Sequence, residues 1–162
     1  MEIREIHNSE QKSKMCNEIL RALPNWFGME EGIVDYTEYV RDLPFFCAYI
    51  DEKPIGFIAL KDHGVYTSEV YVMGILMDHH RKGFGKQLIC QAEAYCAANG
   101  KEFLTVKTLD ESRESKDYEK TRLFYLALGF KPLEVFPLLW DEENPCLFLA
   151  KNIALHQKIN DK

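Results

Sequence analysis

The chain has 162 residues, of which 46% are hydrophobic and 28% are charged, and its net charge is −6. This length and apolar content are typical of one globular domain that buries a core without disulfides or metal ions. The acidic balance argues against a nucleic-acid partner, because a duplex binder needs a broad basic surface, and no apolar run approaches the roughly 20 residues that span a membrane.

Apolar periodicity and turn residues predict the element order β-α-α-β-β-β-α-β-α-β-β. A short strand, Glu2–His7, comes first, and Ser9 is the predicted N-cap of a helix that Pro24 ends. The aromatic loop Pro24–Gly28 then leads to a second helix over about Asp35–Arg41.

The rest of the chain is predicted to form six strands and two helices. In chain order they are strands Phe45–Ile50, Ile55–Leu60 and Ser68–Met77, a helix Gly83–Ala98, a strand Phe103–Thr108, a helix Tyr118–Leu128, and strands Phe130–Phe136 and Cys146–Lys151. Because no repeat or linker divides them, residues 1–152 are expected to form one domain, with residues 153–162 as a polar tail.

The most informative stretch follows the strand Ser68–Met77 and has the sequence His80-Arg81-Lys82-Gly83-Phe84-Gly85-Lys86. A loop that leads from a strand into a helix directs several backbone N–H groups, and the positive end of the helix dipole, at one place. Its glycines let phosphate oxygens approach the backbone, and its three cations add formal positive charge. The loop therefore predicts a phosphate-binding site.

Spacing excludes two better-known phosphate loops. A dinucleotide fingerprint needs a third glycine where this chain has Leu88, and a P-loop needs Ser or Thr where it has Gln87. The residues instead resemble motif A of the GNAT superfamily of acyl-CoA-dependent N-acetyltransferases, with His80 in the place of the usual Gln or Arg.

A second stretch, Leu123-Phe124-Tyr125-Leu126-Ala127-Leu128-Gly129-Phe130, resembles motif B of the same superfamily. The two motifs occur in the right order, and the resemblance covers about Phe45–Phe136. It implies an α/β (α+β) single-domain GNAT fold, in which a mixed, mostly antiparallel sheet of about six to seven strands is flanked by about four helices. It also implies an acyltransferase that uses acetyl-CoA as its cosubstrate.

The resemblance further implies which residues bind acetyl-CoA. The main chain of the motif A strand would line the pantetheine arm at Met73, Ile75 and Met77. The pyrophosphate would be bound by His80, Arg81, Lys82, Gly83, Phe84, Gly85 and Lys86. Gly74 would permit the bulge that frees a backbone N–H for the oxyanion.

Acyl transfer from a thioester requires an amine that has lost its extra proton and a leaving thiolate that gains one. Glu69 is the candidate base, because the histone-acetylating members of the superfamily place theirs at the corresponding position; a water chain, or an exposed structural glutamate, is the alternative. Tyr125 is the candidate general acid, and a core aromatic residue is the alternative.

The acceptor site is expected at the N-terminal helices and their loop, with Trp26 and Phe27 as its aromatic wall and Tyr36 or Tyr39 as further candidates. For any one of these residues a core position is the stronger interpretation. The nearby acidic residues Glu30, Glu31 and Asp35 favour a cationic amine.

Five cysteines (Cys16, Cys47, Cys90, Cys96 and Cys146) form no C-x-x-C pair, and no secretion signal is evident, so we expect reduced, mostly buried thiols in the cytoplasm. His79 and His80 diverge and lack a third ligand, so no metal site is expected.

Three functions remain open. The first is an N-acetyltransferase that moves an acetyl group from acetyl-CoA to a primary amine of a small molecule or peptide, by direct attack in a ternary complex. The second is a non-catalytic acyl-CoA-binding sensor or regulatory module, and the third is an interaction module whose loop binds nothing. The acceptor, the acyl-chain preference and a homodimer are also left open.

Overall fold

The computed structural model describes residues 1–154, which contain seven strands and four α-helices. The strands are β1 Glu2–Glu5, β2 Phe45–Ile50, β3 Lys53–His63, β4 Thr67–Ile75, β5 Phe103–Leu109, β6 Lys131–Asp141 and β7 Asn144–Asn152. The helices are α1 Ser9–Arg21, α2 Glu30–Tyr39, α3 Phe84–Ala98 and α4 Lys116–Ala127. All seven strands belong to one sheet, in the order β1-β2-β3-β4-β5-β7-β6, which confirms the predicted fold class and element order.

Contacts divide the chain into two compact units, of which the first contains Met1–Lys61 and Val70–Ala94. Its strands β1, β2 and β3 are antiparallel, and Asp51 and Glu52 join β2 to β3 with positive φ angles of 47° and 64°. Positive φ at both central residues is the conformation of a type I′ turn, whose twist matches the flanking strands. The core of this unit includes Phe45 and Phe57, whose rings stack at 4.8 Å.

Two predicted helix starts in this unit are wrong. The N-cap of α1 is Asn8 and not Ser9, because the Asn8 side chain accepts a hydrogen bond from the Gln11 N–H at 3.0 Å. Helix α2 begins at Glu30, five residues before the predicted start at Asp35. The acidic side chains of its first turn favour this earlier start, since they interact well with the positive end of the helix dipole.

The second unit contains Asp62–Glu69 and the chain from Tyr95 onward. Strand β7 pairs antiparallel with both β5 and β6. Strand β6 continues to Asp141, five residues beyond its predicted end at Phe136, with a register irregularity between Phe136 and Asp141. Of the predicted polar tail, residues 155–162 lie outside the described residues, and the domain boundary remains a prediction.

All five cysteines are free thiols, and four of them are buried while Cys90 is exposed, as the sequence predicts. Within residues 1–154, no helix is long and apolar enough to cross a membrane. The same part of the chain has no group of three His, Cys, Asp or Glu side chains arranged to hold a metal ion.

Candidate active site

The loop between β4 and α3, in the first unit, contains two residues with left-handed backbone. Arg81 and Gly83 have φ angles of 60° and 83°, and His80 before them is extended. Left-handed residues in turns are a feature of the concavities in which successive N–H groups bind anions. Arg81, Lys82 and Lys86 are exposed in and around the loop. The loop therefore combines left-handed backbone with exposed positive charge, and its binding of a phosphate stays a prediction.

His80 connects this loop to the end of β4. Its Nε2 lies 2.6 Å from the carbonyl oxygen of Ile75, to which it donates a hydrogen bond. Its ring also meets the ring of Trp26 edge-on, with centroids 5.6 Å apart. These two contacts hold the His80 side chain between the end of β4 and Trp26. A contact between His80 and a phosphate remains a prediction.

Met73, Ile75 and Met77 occupy alternate positions along β4 and the turn that follows it; the first two are half-buried and Met77 is exposed. Gly74 lies between them against α1, because a Cβ there would lie 3.1 Å from Ile19 Cγ2. A Cβ at Gly56 would lie 2.8 Å from the Gly74 carbonyl oxygen. Close packing therefore accounts for both glycines, and the bulge at Gly74 stays a prediction.

Glu69 lies in the second unit and is only 6% exposed, so the alternative of an exposed structural glutamate is wrong. Its Oε2 is 2.5 Å from His63 Nε2, and its Oε1 is 2.9 Å from Lys107 Nζ. Sequence analysis missed His63 and Lys107. The signals for them were a lone basic residue within the apolar strand β5 and a histidine six residues before Glu69, across a tight turn.

Tyr125 is also in the second unit and is 5% exposed. Its ring packs edge-on against Phe124 at 5.1 Å and Phe130 at 5.4 Å. Burial raises the pKa of the Tyr125 phenol well above its usual value, so the hydroxyl keeps its proton over the whole working range of an enzyme. These properties suit a proton donor and a core residue alike, and the role of general acid remains a prediction.

The predicted acceptor residues Trp26 and Phe27 are half-buried and pack against the core of the first unit. Phe27 meets Tyr36 edge-on at 5.9 Å, and Tyr36 in turn meets Tyr71 at 5.4 Å. Glu30 forms an ion pair with Arg21 at 2.6 Å, so its charge is already compensated. Glu30 should therefore attract a cationic amine less strongly than an unpaired carboxylate would.

A surface groove of about 620 Å³ lies beside these aromatic residues, and we call it the acidic groove. Its lining consists of Asp35, Glu38, Tyr39, Asp42, Leu43 and Tyr71. The ammonium group of Lys61 lies 4.7 Å from the centroid of the Tyr39 ring and 5.7 Å from that of Tyr71. Glu38 forms an ion pair with Arg41 at 3.2 Å. The groove still brings three carboxylates beside two tyrosine rings, a combination that is suited to a cation.

Comparison with known proteins identifies the family to which these features belong. The family model described as an acetyltransferase (GNAT) domain matches residues 41–132, which include both the phosphate loop and the Tyr125 helix. The chain belongs to the GNAT acetyltransferase family. The resemblance inferred from the two motifs is thereby confirmed, and GNAT membership makes the chain an acyltransferase.

Individual GNAT relatives are distant. An uncharacterized N-acetyltransferase of Chlorobaculum tepidum is 26% identical over 121 residues, which cover 73% of this chain and 70% of that protein. A structure assigned to the GNAT family from Desulfovibrio desulfuricans is 15% identical, with a TM-score of 0.80 and coverage of 94% of this chain and 98% of that one. The aminoglycoside 6'-N-acetyltransferase of Enterococcus faecium is 20% identical, with a TM-score of 0.75 and coverage of 94% and 97%. At these identities the two structures establish the GNAT fold alone.

Proposed function

We propose that this protein transfers an acetyl group from acetyl-CoA to a primary amine of a small molecule or peptide, by direct attack of the amine within a ternary complex. The observation that carries the proposal is the loop from His80 to Lys86, whose left-handed Arg81 and Gly83 and exposed cations are suited to a pyrophosphate. Family membership supports the same cosubstrate.

The loop offers coenzyme A two kinds of interaction. Backbone N–H groups donate to phosphate oxygens, and the start of α3 adds the positive end of its dipole. Arg81, Lys82 and Lys86 compensate the phosphate charge. We assign the pantetheine arm to the main chain at Met73, Ile75 and Met77, in the manner that the motif A resemblance implies.

The transfer step needs two proton movements, and the proposal gives a residue to each. The acceptor must lose a proton to become a nucleophile, in which Glu69 takes part. The leaving thiolate must gain one, which we assign to the hydroxyl of Tyr125, because burial keeps that phenol protonated. The family's motif B places a tyrosine at this position.

We propose that the acceptor carries more than one positive charge. The acidic groove brings Asp35, Glu38 and Asp42 together beside the rings of Tyr39 and Tyr71. Lys61 places an ammonium group over both rings, which supports the affinity of this surface for a cation. A polyamine or an aminoglycoside has the charge that this groove favours, and the solved structures of aminoglycoside acetyltransferases are consistent with such an acceptor.

The test is a panel of amines assayed for release of coenzyme A from acetyl-CoA. The panel pairs each polycationic amine with a monoamine of similar length, and we expect faster release with the polycation. If coenzyme A raises the melting temperature but no amine accelerates thiol release above hydrolysis, the protein is an acyl-CoA sensor. If coenzyme A does not raise the melting temperature either, the loop binds nothing and the proposal fails.

A further inference from the structure

Glu69 is placed unlike a side chain that takes a proton directly from a substrate. Both of its oxygens already accept a hydrogen bond, one from the ammonium group of Lys107 and the other from the ring of His63. Each oxygen keeps a second lone pair, but a proton from the substrate would have to reach it beside these two donors. With 6% of the residue exposed, Glu69 also offers an acceptor molecule little surface.

His63 has the properties that Glu69 lacks. Its side chain is 43% exposed, and it stands at the end of β3, next to the turn that leads into β4. Because a carboxylate only accepts hydrogen bonds, Nε2 of His63 carries the hydrogen that meets Glu69. The lone pair of the neutral ring is then on Nδ1, which is the nitrogen left for another partner.

We infer that His63 accepts the proton of the acceptor amine, and that Glu69, held by Lys107, positions the ring and stabilises the imidazolium that forms. This inference rests on the proposed function. The arrangement has the logic of a carboxylate–histidine pair in hydrolases, where the carboxylate fixes the tautomer and the imidazole moves the proton. Imidazole is also the side chain whose charge ordinarily changes nearest to neutral pH.

The proton step balances as follows. An N–H bond of the acceptor ammonium breaks, its electron pair stays on the amine nitrogen, and the proton bonds to Nδ1 of His63. The neutral amine is now the nucleophile. Attack on the thioester leaves a second surplus proton on the same nitrogen; it is lost as the amide forms and, through solvent, replaces the proton that Tyr125 gives to the thiolate. The imidazolium returns its own proton to water, so His63, Glu69 and Tyr125 all end in their starting states.

The other charged and titratable groups around this pair are compensated or neutral. Asp62, which precedes His63 on β3, interacts with the Ser68 hydroxyl, with Lys101 at 3.5 Å and with the Tyr95 hydroxyl at 3.3 Å. On β7, Cys146 is close enough to Lys107 and Glu69 to interact electrostatically, and burial raises the pKa of its thiol to about 11. The thiol of Cys146 is therefore neutral at near-neutral pH.

The experiment compares His63→Gln with His63→Ala. The glutamine amide can reproduce the Nε2–H hydrogen bond to Glu69 but cannot take a proton, so it separates the chemical role from the structural one. With an amine for which chemistry limits the rate, we expect kcat to fall by about 10²-fold or more at neutral pH, while the KM for acetyl-CoA and the melting temperature stay near the wild-type values. The acidic limb of the pH–rate profile should be replaced by a rate that rises continuously with pH.

The alanine variant provides a readout that a structural residue would not give. Imidazole added to the buffer should restore part of the turnover of His63→Ala in proportion to its concentration, and it should not accelerate His63→Gln, where the space is filled. His7→Gln is the matched control, because His7 is an exposed histidine, and it should behave as wild type. Wild-type turnover and pH profile in His63→Gln, or a slow His63→Ala that imidazole does not rescue, would overturn the inference.

A measurement without turnover keeps this inference separate from the proposed function. In ¹⁵N-labelled wild-type protein, the ring of His63, assigned by its loss in His63→Gln, should be the Nε2–H tautomer when neutral, and Glu69→Gln should alter that signal. Observation of the Nδ1–H tautomer, or of a His63 signal that is unchanged in Glu69→Gln, would refute the His63–Glu69 interaction even if the enzyme is active. An intact pair in a protein that acetylates no amine would instead refute the proposed function.

Discussion

Replacing Gly83 with valine tests the phosphate loop most directly. Gly83 has a φ of 83°, and a Cβ built there meets no other atom within 4 Å. The cost to folding is therefore backbone strain, roughly 1–2 kcal/mol for a residue with a Cβ in a left-handed conformation. The added side chain instead occupies the space through which a phosphate oxygen would reach the backbone N–H groups.

The expected effect on binding is larger than the effect on folding. A hydrogen bond to a charged group contributes about 1.5–3 kcal/mol, and about 1.4 kcal/mol corresponds to a factor of ten in Kd. Losing one such bond should raise the Kd for coenzyme A by roughly 10-fold to 150-fold, as measured by titration calorimetry on protein that is still folded.

Gly100→Val is the matched control for this substitution. Gly100 also has a positive φ, 69°, and open space at its Cβ position, but it follows α3 and belongs to no phosphate loop. Both variants should lose similar stability in urea unfolding, and only Gly83→Val should lose affinity for coenzyme A. A folded Gly83→Val protein with wild-type affinity, or an equal loss in both variants, would refute the assignment of the loop.

Four further outcomes are expected. Tyr125→Phe should fold and bind coenzyme A normally but lose about 10²-fold or more in turnover. Wild-type turnover with a substrate for which chemistry limits the rate would mean that Tyr125 is only a core residue. Asp35→Asn should raise the KM of a polycationic amine by up to about fivefold, as expected for an exposed ion pair, and leave a monoamine unaffected; an equal change for both amines would argue against the acidic groove. Asn8→Ala should lower the free energy of unfolding by about 0.5–2 kcal/mol, and a larger loss in Ser9→Ala would restore the predicted N-cap. Burial raises the pKa of Cys16, Cys47 and Cys146 to about 12, 11 and 11, so these thiols stay neutral below that range, and a thiol reagent at pH 8 should modify the exposed Cys90 fastest; Cys90→Ser should remove that fast phase.

The phosphate loop could be predicted because its information is local. Two glycines, three cations and a strand-to-helix transition all lie within His80–Lys86 and its flanks, and backbone geometry then follows from residue types. The element order could be predicted for the same reason, since periodicity and turn residues act over short stretches. The N-cap of α1, Asn8, was missed by one residue because neighbouring side chains compete as caps. The start of α2 at Glu30 was missed by five residues because Gly32 obscures the first turn.

The contacts of Glu69 could not be predicted in this way. Lys107 is 38 residues away along the chain, and it reaches Glu69 only once β4 and β5 are neighbours in the sheet. The acidic groove could not be predicted for the same reason. Lys61 on β3 and Tyr71 on β4 are distant in sequence from the carboxylates of α2 and come near them only in the folded chain. Sequence shows which side chains can carry charge, but tertiary structure decides which charges are compensated and which are left for a ligand.

The proposed binding surfaces for the two substrates have opposite charge. The first unit carries both the cationic loop and the acidic groove, on a chain whose net charge is −6. Coenzyme A would be attracted by Arg81 and Lys82 and repelled by Asp35 and Glu38, and a polycationic amine would experience the reverse. Repulsion at the wrong site lowers competition between substrates without requiring tighter binding at the right one. The Debye length falls from about 10 Å at 0.1 M salt to about 3 Å at 1 M, so the repulsion of each substrate from the other's site should weaken as ionic strength rises. Excess polyamine should then inhibit the enzyme at a lower concentration relative to its KM.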